Sequence, residues 1–247
     1  MYQDKSTAPL IYLSVSDGVA IIGLLIYSFS YGLKKYFLLF VIIVALFLTL
    51  SRSNLFFFIF TIIIIELIKN KKNIFLLLTT AVFSFFLLSN LQSFTEVLNR
   101  FTILFTNSHS DASERGRELL LHNGISFIKE HWFLGKYAAE IIINDGTTGD
   151  YIHNILSYWM SYGIIFFLFF IILILSTFSI LLFNIKKMLK FDVIIFPCSL
   201  YIYTTLSALF TKSYSWGFFW FALLLYLVSL SKFRNVIIKY NYSNHKI

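Results

Sequence analysis

The sequence predicts an all-α polytopic membrane protein with about seven transmembrane helices and one large, partly helical extracytoplasmic loop. Three observations carry this. First, 58% of the 247 residues are apolar or aromatic and only 13% are charged, about half the charged share of a soluble domain. So few charges cannot clothe a chain of this length in water, and a disordered chain would need the opposite composition. Second, the apolar residues gather into seven long runs. Third, the 20 basic and 12 acidic residues are segregated rather than dispersed. Cysteine chemistry is absent from the expectation, because Cys198 stands alone inside an apolar run.

The runs, in order, are Ile11–Leu33, Tyr36–Ser51, Leu55–Lys69, Ile74–Leu91, Ile155–Phe183, Phe191–Thr211 and Ser215–Ser231. A crossing needs about 20 residues, with about 17 as a working minimum. The second and third are short and the seventh marginal. The fifth exceeds one crossing, and its first turns, through Gly163, are expected at an interfacial or cavity-lining position. No signal peptide is expected, since no short apolar core is followed by a small-residue cleavage site. The resulting organisation is 1–91 with four spans, a loop over 92–153, 154–231 with three spans, and a basic tail over 232–247.

Lysine and arginine orient the spans. With loops on alternating sides, one side receives Lys34, Lys35, Lys69, Lys71, Lys72, Lys186, Lys187, Lys190, Lys232, Arg234, Lys239 and Lys246. Asp192 and Glu66 are the only acids near them. That side is expected to be the cytoplasm, with the C-terminus inside and the N-terminus outside. The other side receives Lys5, Arg52, Lys212 and the long loop. An outer N-terminus without a signal sequence suggests a chain lacking upstream helices, ahead of ordinary insertion of a weakly charged head.

Residues 92–153 hold 13 of the 32 charges, eight acidic and five basic. Loops this long are usually functional, although a plain solvated cap is the bland reading. Asp111 and Glu114 make a plausible capping pair for a helix. Beyond them Leu121, Ile125, Ile128 and Trp132 form one apolar stripe, headed by Arg117 one turn earlier. Arg115 and His122 fall on the opposite face. An arginine heading an apolar stripe needs an anionic partner or water. Arg52, in Ser51-Arg52-Ser53, sits on the side where arginine is less expected, against the plain reading of a helix-end residue reaching for the interface. His153 stands where the loop re-enters the membrane, a place where a lone histidine is usually an interface residue. Together these residues suggest an outer-face site. Two arginines suit bidentate binding of phosphate or diphosphate, and an imidazole suits proton abstraction from a hydroxyl.

At these residues the chain resembles the O-antigen ligase and Wzy polymerase superfamily of bacterial membrane glycosyltransferases. The shared pattern is Ser51-Arg52, then Arg117 through Gly135 in the loop, then His153-Asn154, then Tyr162-Gly163-Ile164 in the next helix. The chain departs from it at Trp132, where a proline is common, and at Tyr137, where a second glycine is usual. The resemblance covers roughly residues 10–230, corresponding to the C-terminal half of the usual family chain.

The resemblance implies transfer of a glycan from an undecaprenyl-diphosphate donor to a sugar-hydroxyl acceptor, at the outer face of the bacterial cytoplasmic (inner) membrane. It implies no metal, no other cofactor and no nucleic acid, and direct attack at the anomeric carbon with inversion. Arg52 and Arg117 would hold the diphosphate, with Arg115 the rival of Arg117, and His153 would be the base. Tyr151, Asn154 and Glu118 are candidates for binding substrate or orienting those groups. Besides the lipid bilayer, a chain-length regulator or a flippase is a candidate partner. Polymerisation of repeat units into O-antigen or capsular polysaccharide is favoured, because that role exists in bacteria with one membrane or two. The alternatives are ligation to a lipid A core or protein, a non-catalytic transporter or assembly subunit, and an inactive truncated homologue. A transporter would place charges at mid-span, whereas Asp17 and Glu66 are expected near span ends.

Overall fold

The computed structural model describes residues 7–49, 51–69, 112–144 and 152–244. Eight helices and no strand occur among them: α1 Thr7–Phe29, α2 Gly32–Leu48, α3 Arg52–Lys69, α4 Ala112–Glu130, α5 Ala139–Ile143, α6 Leu156–Met188, α7 Asp192–Phe210 and α8 Phe218–Asn244. Six of the seven expected apolar runs are helices; the fourth, Ile74–Leu91, lies outside the described residues.

The apolar surface is distributed as lipid requires. Two helices, α6 and α7, are long and apolar enough to cross a membrane. α7 is the centre of the bundle and packs against α1, α3, α6 and α8. α6 instead turns Ile165, Phe166, Phe169, Ile172 and Phe183 outward, while Ser157, Ser161 and Thr177 are buried. Thr177 and Tyr201 join α6 to α7 through their hydroxyls. Polar groups inside and large apolar groups outside are the arrangement expected of helices packed in hydrocarbon.

Polar contacts fix which helix ends lie together. At one end Glu66, near the end of α3, receives Lys35 of α2 and Tyr27 of α1. Asp192, opening α7, receives Lys69 at 3.3 Å and Tyr31 at 3.0 Å. The two acids that the sequence places beside the lysine-rich loops are thus their partners. At the opposite end Asp17 of α1 meets Asn54 of α3 and Lys212, which follows α7. α1 and α3 therefore run toward the lysine-rich end, and α2 and α7 away from it. Asp17 itself lies deeper than expected: it is the eleventh residue of α1 and is buried.

Candidate functional site

The end of the bundle opposite the lysine cluster carries the candidate residues. Arg52 is the first residue of α3 and is half-buried. The preceding Ser51 is buried, and its carbonyl accepts from Leu55 N–H. Two residues after Arg52, Asn54 donates to Asp17 Oδ1 at 2.6 Å. Asp17 Oδ2 accepts from Lys212 Nζ at 2.8 Å and from Trp216 Nε1 at 3.1 Å. These three donors satisfy both oxygens of the buried Asp17 side chain. Sequence pattern alone does not single out this network, although its signals are present. An acid inside an apolar run must be paired, and Lys212 is a cation on the side that carries few.

His153 is half-buried at the approach to α6. The side chain of its neighbour Asn154 acts locally. Its oxygen accepts from Leu156 N–H at 2.9 Å, closing an Asx turn that starts the helix. Ile155 N–H bonds Leu209 O near the end of α7, and Tyr214 N–H bonds Ser157 Oγ. The start of α6 is thereby tied to the segment carrying Lys212. Tyr151 lies outside the described residues.

The helix expected in the loop is present as α4, beginning directly after Asp111, which is itself outside the described residues. Its buried line differs from the expected stripe. Ile128 is buried and Leu121 half-buried, but Ile125 and Trp132 are exposed. The contact position that the stripe lacks is Gly124. A Cβ there would stand 2.0 Å from Ile152 Cδ1, so α4 meets the approach to α6 where its surface is barest. A glycine adds nothing to an apolar stripe read from sequence, which is why hydrophobic periodicity misses that position. Arg117 shares the angular face of Gly124 and Ile128, as expected. It nevertheless lies about 10 Å further toward the helix N-terminus and is exposed, as are Arg115 and Glu118.

The connection after α4 is fastened to a break in α6. Gly163 has φ 79° and ψ 178°, a region that only glycine occupies without strain. In an unbroken helix Ile164 N–H would bond Met160 O. Here Ile164 N–H turns to Trp132 O at 3.1 Å and Phe133 O at 3.2 Å, and Met160 O accepts from Lys136 N–H at 3.0 Å. Trp159 Nε1 also donates to Trp132 O at 2.8 Å. The loop backbone therefore replaces the bonds that the helix gives up. Gly135 (φ 64°) faces Gly163 directly; a Cβ on Gly135 would stand 2.4 Å from Gly163 N. The two glycines of the family pattern are thus the two sides of one backbone contact.

Beyond Gly135 lies a group of tyrosines. Tyr137, Tyr162 and Tyr214 meet pairwise with ring centroids 5.2 to 6.5 Å apart, and Tyr158 lies 6.4 Å from Tyr214. Beside them, Glu140 of α5 keeps Oε1 buried without a hydrogen-bond partner among the described residues. Burial pushes the Glu140 carboxyl up to about 7. Burial first, then the Glu140 carboxylate, also raises the Tyr214 phenol. Among the described residues no three His, Cys, Asp or Glu side chains are placed to hold a metal ion.

A family model described as O-antigen ligase matches residues 37–171, more than half of the chain, spanning Arg52, Arg117, Gly135, His153 and Gly163. The chain belongs to the O-antigen ligase family. No curated protein and no solved structure matches it. For this O-antigen ligase family member, the matched region joins α2 and α3 to the loop and to the broken first half of α6. Of the elements that build the candidate end of the bundle, α1, the end of α7 and the Lys212–Trp216 segment lie outside the match.

Proposed function

We propose that this family member is a membrane glycosyltransferase. It would polymerise undecaprenyl-diphosphate-linked oligosaccharide units into O-antigen or capsular polysaccharide at the outer face of the cytoplasmic membrane. The observation that carries this reading is the docking of α4 on α6 through Gly124 and the Gly135–Gly163 contact. That docking fastens the arginine-headed helix to the segment carrying His153, at the same end of the bundle as Arg52. The lysine-rich opposite end would then face the cytoplasm, with about seven spans in all.

In the reaction, His153 takes the proton of the acceptor hydroxyl. The hydroxyl oxygen forms a bond to the anomeric carbon from the face opposite the leaving group, so the configuration inverts. The bond from the anomeric carbon to the phosphate oxygen breaks, and its electron pair leaves with the diphosphate. Arg52 and Arg117 hold that group and stabilise its growing charge. Asn154 acts through geometry, since its Asx turn sets how the backbone leaves His153 for α6.

His153→Ala should abolish polymer formation while membrane insertion is retained, read on gels of extracted polysaccharide and on membrane fractions. Wild-type polymer from that variant would remove the assignment. The family description favours a second reading, ligation, with the same donor and a lipid A core or protein as acceptor. Glycan lengthened on its lipid carrier supports polymerase; single units appearing on lipid A or protein support ligase.

A further inference from the structure

We propose that Glu140, with Tyr137, Tyr162 and Tyr214, forms a subsite for a neutral pyranose at the acceptor end of the glycan. The proposal rests on reading the chain as a glycan transferase. Three features converge on it.

The first is the aromatic surface. Tyr137 is 71% exposed and Tyr162 37% exposed, and both stand within 6.5 Å of the Tyr214 ring. The faces of a pyranose carry C–H groups that pack against aromatic rings, while its rim of hydroxyls seeks hydrogen bonds. A tyrosine cluster offers both kinds of contact. The second feature is unspent hydrogen-bonding capacity. Glu140 Oε1 and Tyr158 Oη are buried, and neither has a partner among the described residues. An orphaned carboxylate oxygen is costly, and a hydroxyl donor from a ligand would satisfy it. The third is charge. In its ionised form the Glu140 carboxyl repels the diphosphate of a donor, and in either form it can hydrogen-bond an uncharged polyhydroxyl. Of the two lysines nearest in sequence to the tyrosines, Lys212 is bound to Asp17 and Lys136 is exposed.

The position also fits an acceptor. Ala139, next to Glu140, and Ile152, next to His153, belong to one packed cluster with Ile128 and Met160. Tyr214 is tied through its backbone to Ser157, in the first turn of the helix that follows His153. A sugar resting on the tyrosines would thus be held by the same elements that hold the base.

The test uses the full chain in nanodiscs. The donor is lipid-linked oligosaccharide extracted from cells deleted for this gene. The acceptor is the same oligosaccharide released from its lipid by mild acid, varied at fixed donor. Glu140→Leu should raise the acceptor concentration for half-maximal transfer by about tenfold or more, the effect of losing one hydrogen bond to a charged group. The same variant should raise the unfolding midpoint of the unliganded protein, because it removes an orphaned buried oxygen. Tyr137→Ala, at an exposed ring, should raise the same acceptor concentration without altering the midpoint. An unchanged acceptor requirement in both variants overturns the subsite, as does a midpoint lowered by Glu140→Leu. His153→Ala separates the two levels of argument. If it still transfers while Glu140→Leu weakens acceptor use, the base assignment falls and the subsite stands. If the parent chain transfers nothing, the transferase reading falls. The subsite is then judged by whether released oligosaccharide raises the unfolding midpoint of the parent and not of Glu140→Leu.

Discussion

Replacing Gly163 by alanine should release the loop connection from α6. An alanine Cβ at that position would stand 2.1 Å from Phe133 O and 2.5 Å from Leu134 C. Both are backbone atoms, so no side-chain rotation relieves the overlap. The φ of 79° with ψ of 178° adds strain of about 1–3 kcal/mol for a residue with a Cβ. Moving the loop away breaks the Ile164 and Lys136 backbone bonds, at about 0.5–1.5 kcal/mol each. Together the penalty is roughly 2–6 kcal/mol. Its lower limit corresponds to about a thirtyfold rise in the local opening equilibrium. Hydrogen exchange of the full chain in nanodiscs reads this directly: the amides of Lys136 and Ile164 should exchange about thirtyfold faster or more. Gly116→Ala is the control, because a Cβ there meets nothing within 4 Å and α4 should gain about 0.5–1 kcal/mol. Wild-type protection of both amides in Gly163→Ala would refute the account of the helix break.

Two further outcomes are expected. Asp17→Ala leaves Lys212 charged and buried, and should cost about 3–5 kcal/mol, read as a lowered unfolding midpoint in detergent. The double variant Asp17→Leu with Lys212→Met should recover most of that loss; equal loss in the single and double variants would mean the pair is not what holds α1 to α3 and α7. Arg117→Ala should lower transfer by about a hundredfold or more, the scale of a transition-state charge stabiliser, with Arg115→Ala close to wild type. Both residues are exposed, so neither change should affect folding, and the reverse ranking would place the wrong face of α4 toward the substrate.

Local chemistry determined much of this protein. A run of apolar residues makes its own backbone hydrogen bonds as a helix wherever it enters lipid, so the six described runs are helices without knowledge of their neighbours. The alternation of lysine-rich and lysine-poor connections was likewise legible, because it depends only on order along the chain. The motif residues from Arg52 to Gly163 could be picked out in sequence. Tertiary structure alone decided what they do to one another. The Asp17–Lys212 pair spans 195 positions, and no local pattern encodes a contact at that separation. Gly124, Gly135 and Gly163 act by what they lack, which only an approaching backbone or side chain reveals. The exposure of Arg117 follows from where α4 stops touching α6, a property of two surfaces rather than of one stripe. Glu140 was one of eight acids in the loop and became distinct only when folding buried its oxygen and gave it no partner among the described residues.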